Sequence, residues 1–280
     1  MNARLGDSVG RMPASVISFA VSVVFLLVAA LAVARPRMLV RLPRDIRKVE
    51  PRYLVGGLLG ASYVVVAVFT VDSLGTGGLM ASSVAGTLIG AVGIDWAGIL
   101  GVRRQRPGPI RVAGVILLLV GTVLMNGHAS FDPLAIAAVF AVGLMGAFQP
   151  PVNARLALRL GGVRAALTQS TMGAVFLAAA ALATAPLTDS ADGGAVPWWA
   201  WLGGVLGALY VLSTLASVPY IGAGGVAAAS IAGGLAFAAV ADQFGMFGLE
   251  RVSFDLTRIA ALAVLSAGAA LVLRRQDPAP

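Results

Sequence analysis

Polar residues break this chain into long apolar runs, at Ala14 to Ala34, Tyr53 to Val71, Gly75 to Ile94, Ile110 to Met125, Pro133 to Val152, Arg164 to Ala185, Trp198 to Val218, Gly222 to Ala241 and Leu256 to Leu273. A bilayer core of about 30 Å needs roughly 20 apolar residues per helical crossing. Helices that are apolar all round belong in lipid or in a large core. The pattern therefore predicts an all-α, polytopic membrane protein of about nine transmembrane helices. The first run is too long, and too closely followed by others, for a cleaved signal peptide.

Composition agrees: of 280 residues, 59% are hydrophobic and only 11% charged. The 35 glycines would weaken soluble helices, but in lipid small residues let helices approach closely. GGLLG at Gly56 to Gly60 and GGVLG at Gly203 to Gly207 have that spacing. With no cysteine and a single histidine, His128, in the polar connection NGHASFDP, neither a disulfide nor a metal site is expected, and no cofactor.

The net charge of +8 concerns orientation. Arg35, Arg37, Arg41, Arg44, Arg47, Lys48 and Arg52 lie between the first two runs, and Arg103, Arg104, Arg106 and Arg111 between the third and fourth. Arg155, Arg159 and Arg164 lie between the fifth and sixth, and Arg274 and Arg275 follow the ninth. Even numbers of crossings separate these clusters, so all four fall on one side, which the positive-inside rule makes cytoplasmic. The C-terminus is then expected in the cytoplasm of a cell whose inner membrane holds the protein. Anionic lipid headgroups account for the clusters, and no nucleic acid is needed as a partner.

The chain also repeats itself. A shift of 147 lays GGLLGASYV on GGVLGALYV, SSVAGTL on ASIAGGL, Tyr63 on Tyr210, Asp95 on Asp242 and Arg111 on Arg258. A shift of 151 lays Asn2-Ala-Arg-Leu on Asn153-Ala-Arg-Leu and Gly10 on Gly161. Residues 1–130 and 131–280 are thus expected to be two repeats. Their equivalent loops differ in charge: RPRMLVRLPRDIRKVEPR is basic, whereas APLTDSADGGAVPWW, with Asp189 and Asp192, has no Lys or Arg. A five-helix unit duplicated in tandem inverts its second copy, the inverted-repeat design of many secondary transporters. The first repeat holds four runs and the second five, and Met1 falls where Val152 falls. The expectation is a ten-helix full-length form, its first helix encoded by about 20 apolar codons upstream of Met1.

FQPPVNARL at Phe148 to Leu156, MNARLG at the start, and the pair IDWAG and ADQFG resemble the YdcZ-like branch of the drug/metabolite transporter superfamily. The resemblance spans nearly the whole chain. It implies a ten-helix inner-membrane transporter of small organic solutes, more often an exporter than an importer, and no enzyme. Where that family has Gly-Gln, this chain has Gly86-Thr87 and Gly233-Gly234, which removes an intramembrane amide from both halves.

Polar groups inside spans are the candidate site, because lipid leaves them costly unless paired or facing a cavity. Tyr63 and Tyr210, at equivalent mid-helix positions, are expected to face a cleft and contact solute, the alternative being packing against a neighbouring carbonyl. Gln149, beside Pro150 and Pro151 where a helix should kink, joins Thr168 and Gln169 as a polar mouth, with interhelical bonding as the alternative. Asp95 and Asp242, with Asn2 and Asn153, are candidates for gating or coupling. For the two acids a fixed ion pair is the other reading, Asp95 with Arg104 or Arg111 and Asp242 with Arg251 or Arg258. GTGG at Gly75 to Gly78 and GAGG at Gly222 to Gly225 are expected to be tight turns. No span carries an acid or a base near its middle, which favours a neutral, zwitterionic or amphipathic solute. An intramembrane enzyme acting on a lipid-linked substrate, or a non-transporting scaffold subunit, are the rival classes.

Overall fold

A computed structural model describes residues 1–33, 40–99, 108–126, 132–184, 196–246 and 255–273, with backbone alone over 218–228. The described residues are helical throughout their regular structure, with no strand. The order is α1 (Asn2–Val9), α2 (Arg11–Val33), α3 (Leu42–Ile46), a 3-10 turn (Pro51–Tyr53), α4 (Gly56–Ala97), α5 (Pro109–Asn126), α6 (Pro133–Gly146), α7 (Gln149–Leu160), α8 (Gly162–Thr184), a 3-10 turn (Trp198–Trp201), α9 (Leu202–Phe244) and α10 (Leu256–Leu273). Among the described residues six helices are long and apolar enough to cross a membrane, and Pro109–Met125 and Ala229–Phe244 are shorter apolar helices. The chain is an all-α polytopic membrane protein.

Two expected spans merge in α4, whose 42 residues would measure about 63 Å, twice a bilayer core. A single residue breaks it: Gly75 has φ 66 and ψ 173, a conformation open to glycine because it has no Cβ. The expected four-residue turn is therefore one residue, and residues 56–74 (α4a) and 76–97 (α4b) are each long enough for one crossing. Gly222 to Gly225 lie within the helical backbone of α9, between the apolar stretches Trp198–Ser217 and Ala229–Phe244.

The expected span from Pro133 to Val152 also divides. Asp132 caps α6, its carboxylate accepting from the Leu134 and Ala135 N–H groups, which satisfies donors the first turn leaves open. α6 stops at Gly146, and Pro150 and Pro151 fall in the first turn of α7, where a missing N–H costs nothing. The two Asn-Ala-Arg-Leu phrases are thus short helices in their own right, α1 and α7. Each is closed by a left-handed glycine, Gly10 at φ 91 and Gly161 at φ 81.

The chain forms two compact units, residues 1–69 with 149–220 and residues 70–148 with 221–280. Each draws elements from both sequence repeats. In the first unit, Leu26, Ala166, Leu167 and Ala208 form one core cluster and Val49, Leu156, Leu160 and Ala165 another. In the second, α4b, α5, α9 and α10 share the cluster of Ala81, Val84, Ala85, Leu88, Leu118, Met125, Ile231, Leu235, Ala261, Leu265, Ala269 and Val272. α5 and α10 cross at glycine: a Cβ on Gly114 would lie 2.9 Å from the Gly268 carbonyl oxygen. In lipid, such close packing replaces the hydrophobic drive that holds soluble helices together. His128, Asp189, Asp192, Arg35, Arg37, Arg103, Arg104, Arg106, Arg251, Arg274 and Arg275 lie outside the described residues.

Candidate functional site

In the first unit a polar strip follows the glycine face of α4a. At Gly56 it begins with Asn153 of α7 and Gln169 of α8, both buried. Gln169 Nε2 donates to Asn153 Oδ1, and a Cβ on Gly56 would fall 2.9 Å from that Nε2. One turn on, Gln149 Nε2 donates to the Gly56 carbonyl at 3.3 Å and lies 2.9 Å from where a Gly60 Cβ would be. Gly60 is glycine because the amide takes its side-chain space. Tyr63, half-buried, comes three residues later and so on the same face, about 10 Å along the axis from Gly56. Thr168, also buried, donates from Oγ1 to the Arg164 carbonyl at 2.8 Å in its own helix.

The other repeat builds the same arrangement with different chemistry. A Cβ on Gly57 would run into the Gln169 carbonyl oxygen, and one on Gly204 into that of Ser18. These pairs correspond under the two sequence shifts, so the α4a–α8 contact and the α9–α2 contact are equivalent. Both cross from one repeat to the other. Ser22 Oγ donates to the Gly204 carbonyl at 2.6 Å. Asn2 stands against Gly203 as Asn153 stands against Gly56. Where Asn153 has Gln169 as donor, Asn2 has Ser18, which is too short, and Asn2 Oδ1 is buried with no partner among the described residues. Tyr210 is 58% exposed, whereas Tyr63 is half-buried.

In the second unit the equivalent acids pair with equivalent arginines. Asp95 Oδ2 accepts from Arg111 Nη2 at 2.8 Å, with the side chains 23% and 15% exposed. Asp242 Oδ2 lies 3.3 Å from Arg258 Nη2. Asp242, 1% exposed, does more. It accepts the Thr76 N–H at 3.0 Å, the Gly77 N–H at 2.9 Å and the Thr76 hydroxyl. An acid of the second repeat thereby caps the helix that restarts after Gly75 in the first, where open N–H groups and the helix dipole favour a carboxylate.

The family model described as "Putative inner membrane exporter, YdcZ" matches residues 1–124 and again residues 134–271. The chain belongs to the YdcZ family. Two matches in tandem make this YdcZ protein a two-unit member of the drug/metabolite transporter superfamily, an inner-membrane protein of exporter type. None of the curated proteins matches it. Of the candidates, the structure brings Gln149, Asn153, Gln169 and the face of Tyr63 together, and sets Asn2 and Tyr210 in the equivalent positions of the other repeat. Asp95 and Asp242 pair with Arg111 and Arg258 within the second unit. Sequence reasoning passed over Thr76, Ser18 and Ser22, and marked Thr87 only as standing where the family has glutamine. Thr87 Oγ1 bonds the Ser83 and Gly143 carbonyls at 2.8 and 3.1 Å, filling the place of the family's glutamine with a helix-to-helix link. The shift of 151 pairs Ser18 with Gln169 and Ser22 with Gly173, which was the signal available for those two.

Proposed function

We propose that this protein exports a small neutral or zwitterionic organic solute from the cytoplasm by alternating access, with its two repeats exchanging conformations. The observation that carries the reading is the crossed pairing at Gly57 and Gly204. Each repeat's glycine face rests on a helix of the other, the same contact built twice with unlike side chains. Equivalent contacts made once by each repeat suit an exchange of conformations between the two repeats. The one-residue break at Gly75, held by Asp242, supplies a discontinuous helix of the kind transporters use. The solute is read by Tyr63, Gln149 and Tyr210, with Gln169, Asn153 and Thr168 positioning the strip and Asp95, Asp242, Asn2 and Asn153 governing its exchange between states. Amides and hydroxyls without an uncommitted charge suit a neutral or zwitterionic solute. The C-terminus faces the cytoplasm in this reading.

Purified protein in proteoliposomes, offered a panel of radiolabelled neutral and zwitterionic metabolites, tests it. Saturable flux of at least one solute is expected, with Tyr63→Phe and Gln149→Ala raising KM severalfold while the melting temperature stays unchanged. Absence of flux for every solute sinks the transport reading. Flux unaltered in both variants removes these residues from the site.

A further inference from the structure

The elbow between α7 and α8, inside the first unit, is a one-residue joint. Gly161 stands at φ 81. Its N–H donates to the Ala157 carbonyl at 2.7 Å and its carbonyl accepts from the Ala165 N–H at 2.9 Å, so it ends one helix and starts the next. Among the described residues nothing lies within 4 Å of a Gly161 Cβ, and packing at the joint itself does not fix the angle. Asn153 and Gln169, whose side chains bond across the elbow, lie about 12 Å from it along their two helices. A change of about 10° at Gly161 moves one against the other by about 2 Å, enough to part a hydrogen bond.

Both arms are held by a segment of the other repeat. Val49 packs with Leu156 and Leu160 of α7 and with Ala165 of α8, and Leu42, Ile46 and Tyr53 surround them. Asp45 Oδ2 accepts from Arg164 Nη1 at 2.9 Å, the side chains being 35% and 15% exposed, which ties α3 to the first turn of α8. The elbow between α1 and α2 at Gly10 is gripped by the second repeat in the equivalent way, through Leu5, Ala14 and Ala200 with Val9 and Val196. The two sequence shifts lay Leu5, Val9 and Ala14 on Leu156, Leu160 and Ala165, and Val49 and Tyr53 on Val196 and Ala200. The apolar clasp is thus built twice. Where Arg164 stands, however, the first repeat has Pro13, which cannot pair with an acid. We propose that Asp45 and Arg164 are positioning residues for the solute site: their ion pair sets the Gly161 elbow at the angle that brings Asn153 and Gln169 together beside Gly56 and Gln149. The role toward solute rests on the transport reading, and the clasp rests on the geometry of the elbow. A partly exposed pair biases such an equilibrium by about fivefold at most, so the clasp holds the joint and still releases it.

Because the chain has no cysteine, Asn153→Cys gives a single reporter, buried in the clasped elbow. In purified protein, adding Asp45→Asn is expected to speed its labelling by a water-soluble maleimide by about three- to fivefold. The charge swap, Asp45→Arg with Arg164→Asp, is expected to restore the original rate, and Arg164→Lys, which keeps the pair, to leave it unchanged should the swap fail to fold. In proteoliposomes, with Asn153 intact, Asp45→Asn is expected to raise KM severalfold with kcat and melting temperature nearly unchanged. Unchanged labelling in Asp45→Asn, or rapid labelling in the variants that keep the pair, overturns the proposal whatever the flux. Faster labelling with an unmoved KM overturns the positioning role. Faster labelling with no flux of any solute supports the clasp and counts against the transport reading instead.

Discussion

Asp95 and Asp242 are equivalent in sequence yet unequal in structure, and replacing each by alanine should separate them. Asp242→Ala leaves the Thr76 and Gly77 N–H groups without their acceptor and takes from Arg258, itself buried, the carboxylate that lies 3.3 Å from its Nη2. Breaking a buried ion pair from one side costs about 3–5 kcal/mol, and loss of a helix cap contributes about 1 kcal/mol. Asp95→Ala removes one charged hydrogen bond between partly exposed groups, for which about 1–2 kcal/mol is the appropriate scale. At about 2–4 °C per kcal/mol for a chain of this size, the two losses together mean that Asp242→Ala should lower the melting temperature by about 8–24 °C. Asp95→Ala should lower it by no more than about 8 °C. Tryptophan fluorescence during heating in lipid nanodiscs gives both numbers in parallel. Removing the Arg258 cation as well, in Asp242→Ala with Arg258→Leu, should recover part of the loss, since an apolar replacement of a whole buried pair is often neutral. Equal shifts for the two single variants, or no recovery in the double variant, would refute the assignment of Asp242 as cap and buried counter-ion.

Gly57→Ala and Gly204→Ala press a methyl group onto the carbonyls of Gln169 and Ser18, and each should cost about 1–3 kcal/mol. Gly93→Ala, with nothing within 4 Å, should be neutral or stabilising by up to about 1 kcal/mol in the same melts. Gln169→Leu leaves Asn153 Oδ1 without its donor and should cost about 1–2 kcal/mol; an unchanged melting temperature would mean that water replaces the amide. α3 and α7 pack through the Val49, Leu156 and Leu160 cluster with Arg44, Arg47, Arg155 and Arg159 exposed. Neutralising all four should weaken selectivity for spin-labelled phosphatidylglycerol over phosphatidylcholine by about 1 kcal/mol per charge, and 1 M salt should erase the difference between wild type and variant.

The membrane class was legible because nine apolar runs and a low charge content have few other physical solutions. Element boundaries were less so. Pro150 and Pro151 marked a disturbance, but a proline signals a helix start as readily as a kink, and only the structure shows Gln149 opening α7. Gly75 was legible as punctuation and not as a one-residue break, because two helices joined this tightly depend on an acceptor for the new N-terminus. That acceptor is Asp242, 166 residues from Thr76. The alternatives for the acids were visible in the shift of 147, which keeps Asp95 with Arg111 and Asp242 with Arg258 in step. The extra reach of Asp242 to Thr76 was not, since the shift puts Ala223 in the place of Thr76. Backbone carbonyls explain most of the remainder. Gly57 and Gly204 meet oxygens of Gln169 and Ser18 that every residue type carries, so no side-chain pattern announces the crossing.

The crossed contacts also bear on how the protein is made. Gly56 is separated by 93 residues from Gln149, and Ser22 by 182 from Gly204. A ribosome feeding helices into the membrane from the N-terminus therefore releases α2 and α4a long before their partners exist, and they wait in lipid with their small and polar faces uncovered. Expressing residues 1–130 by themselves gives no finished half, only a set of helices whose complementary surfaces are still to be synthesised. A chaperone or insertase that shields such faces has its longest task at α2, whose Ser22 waits for the chain to reach Gly204.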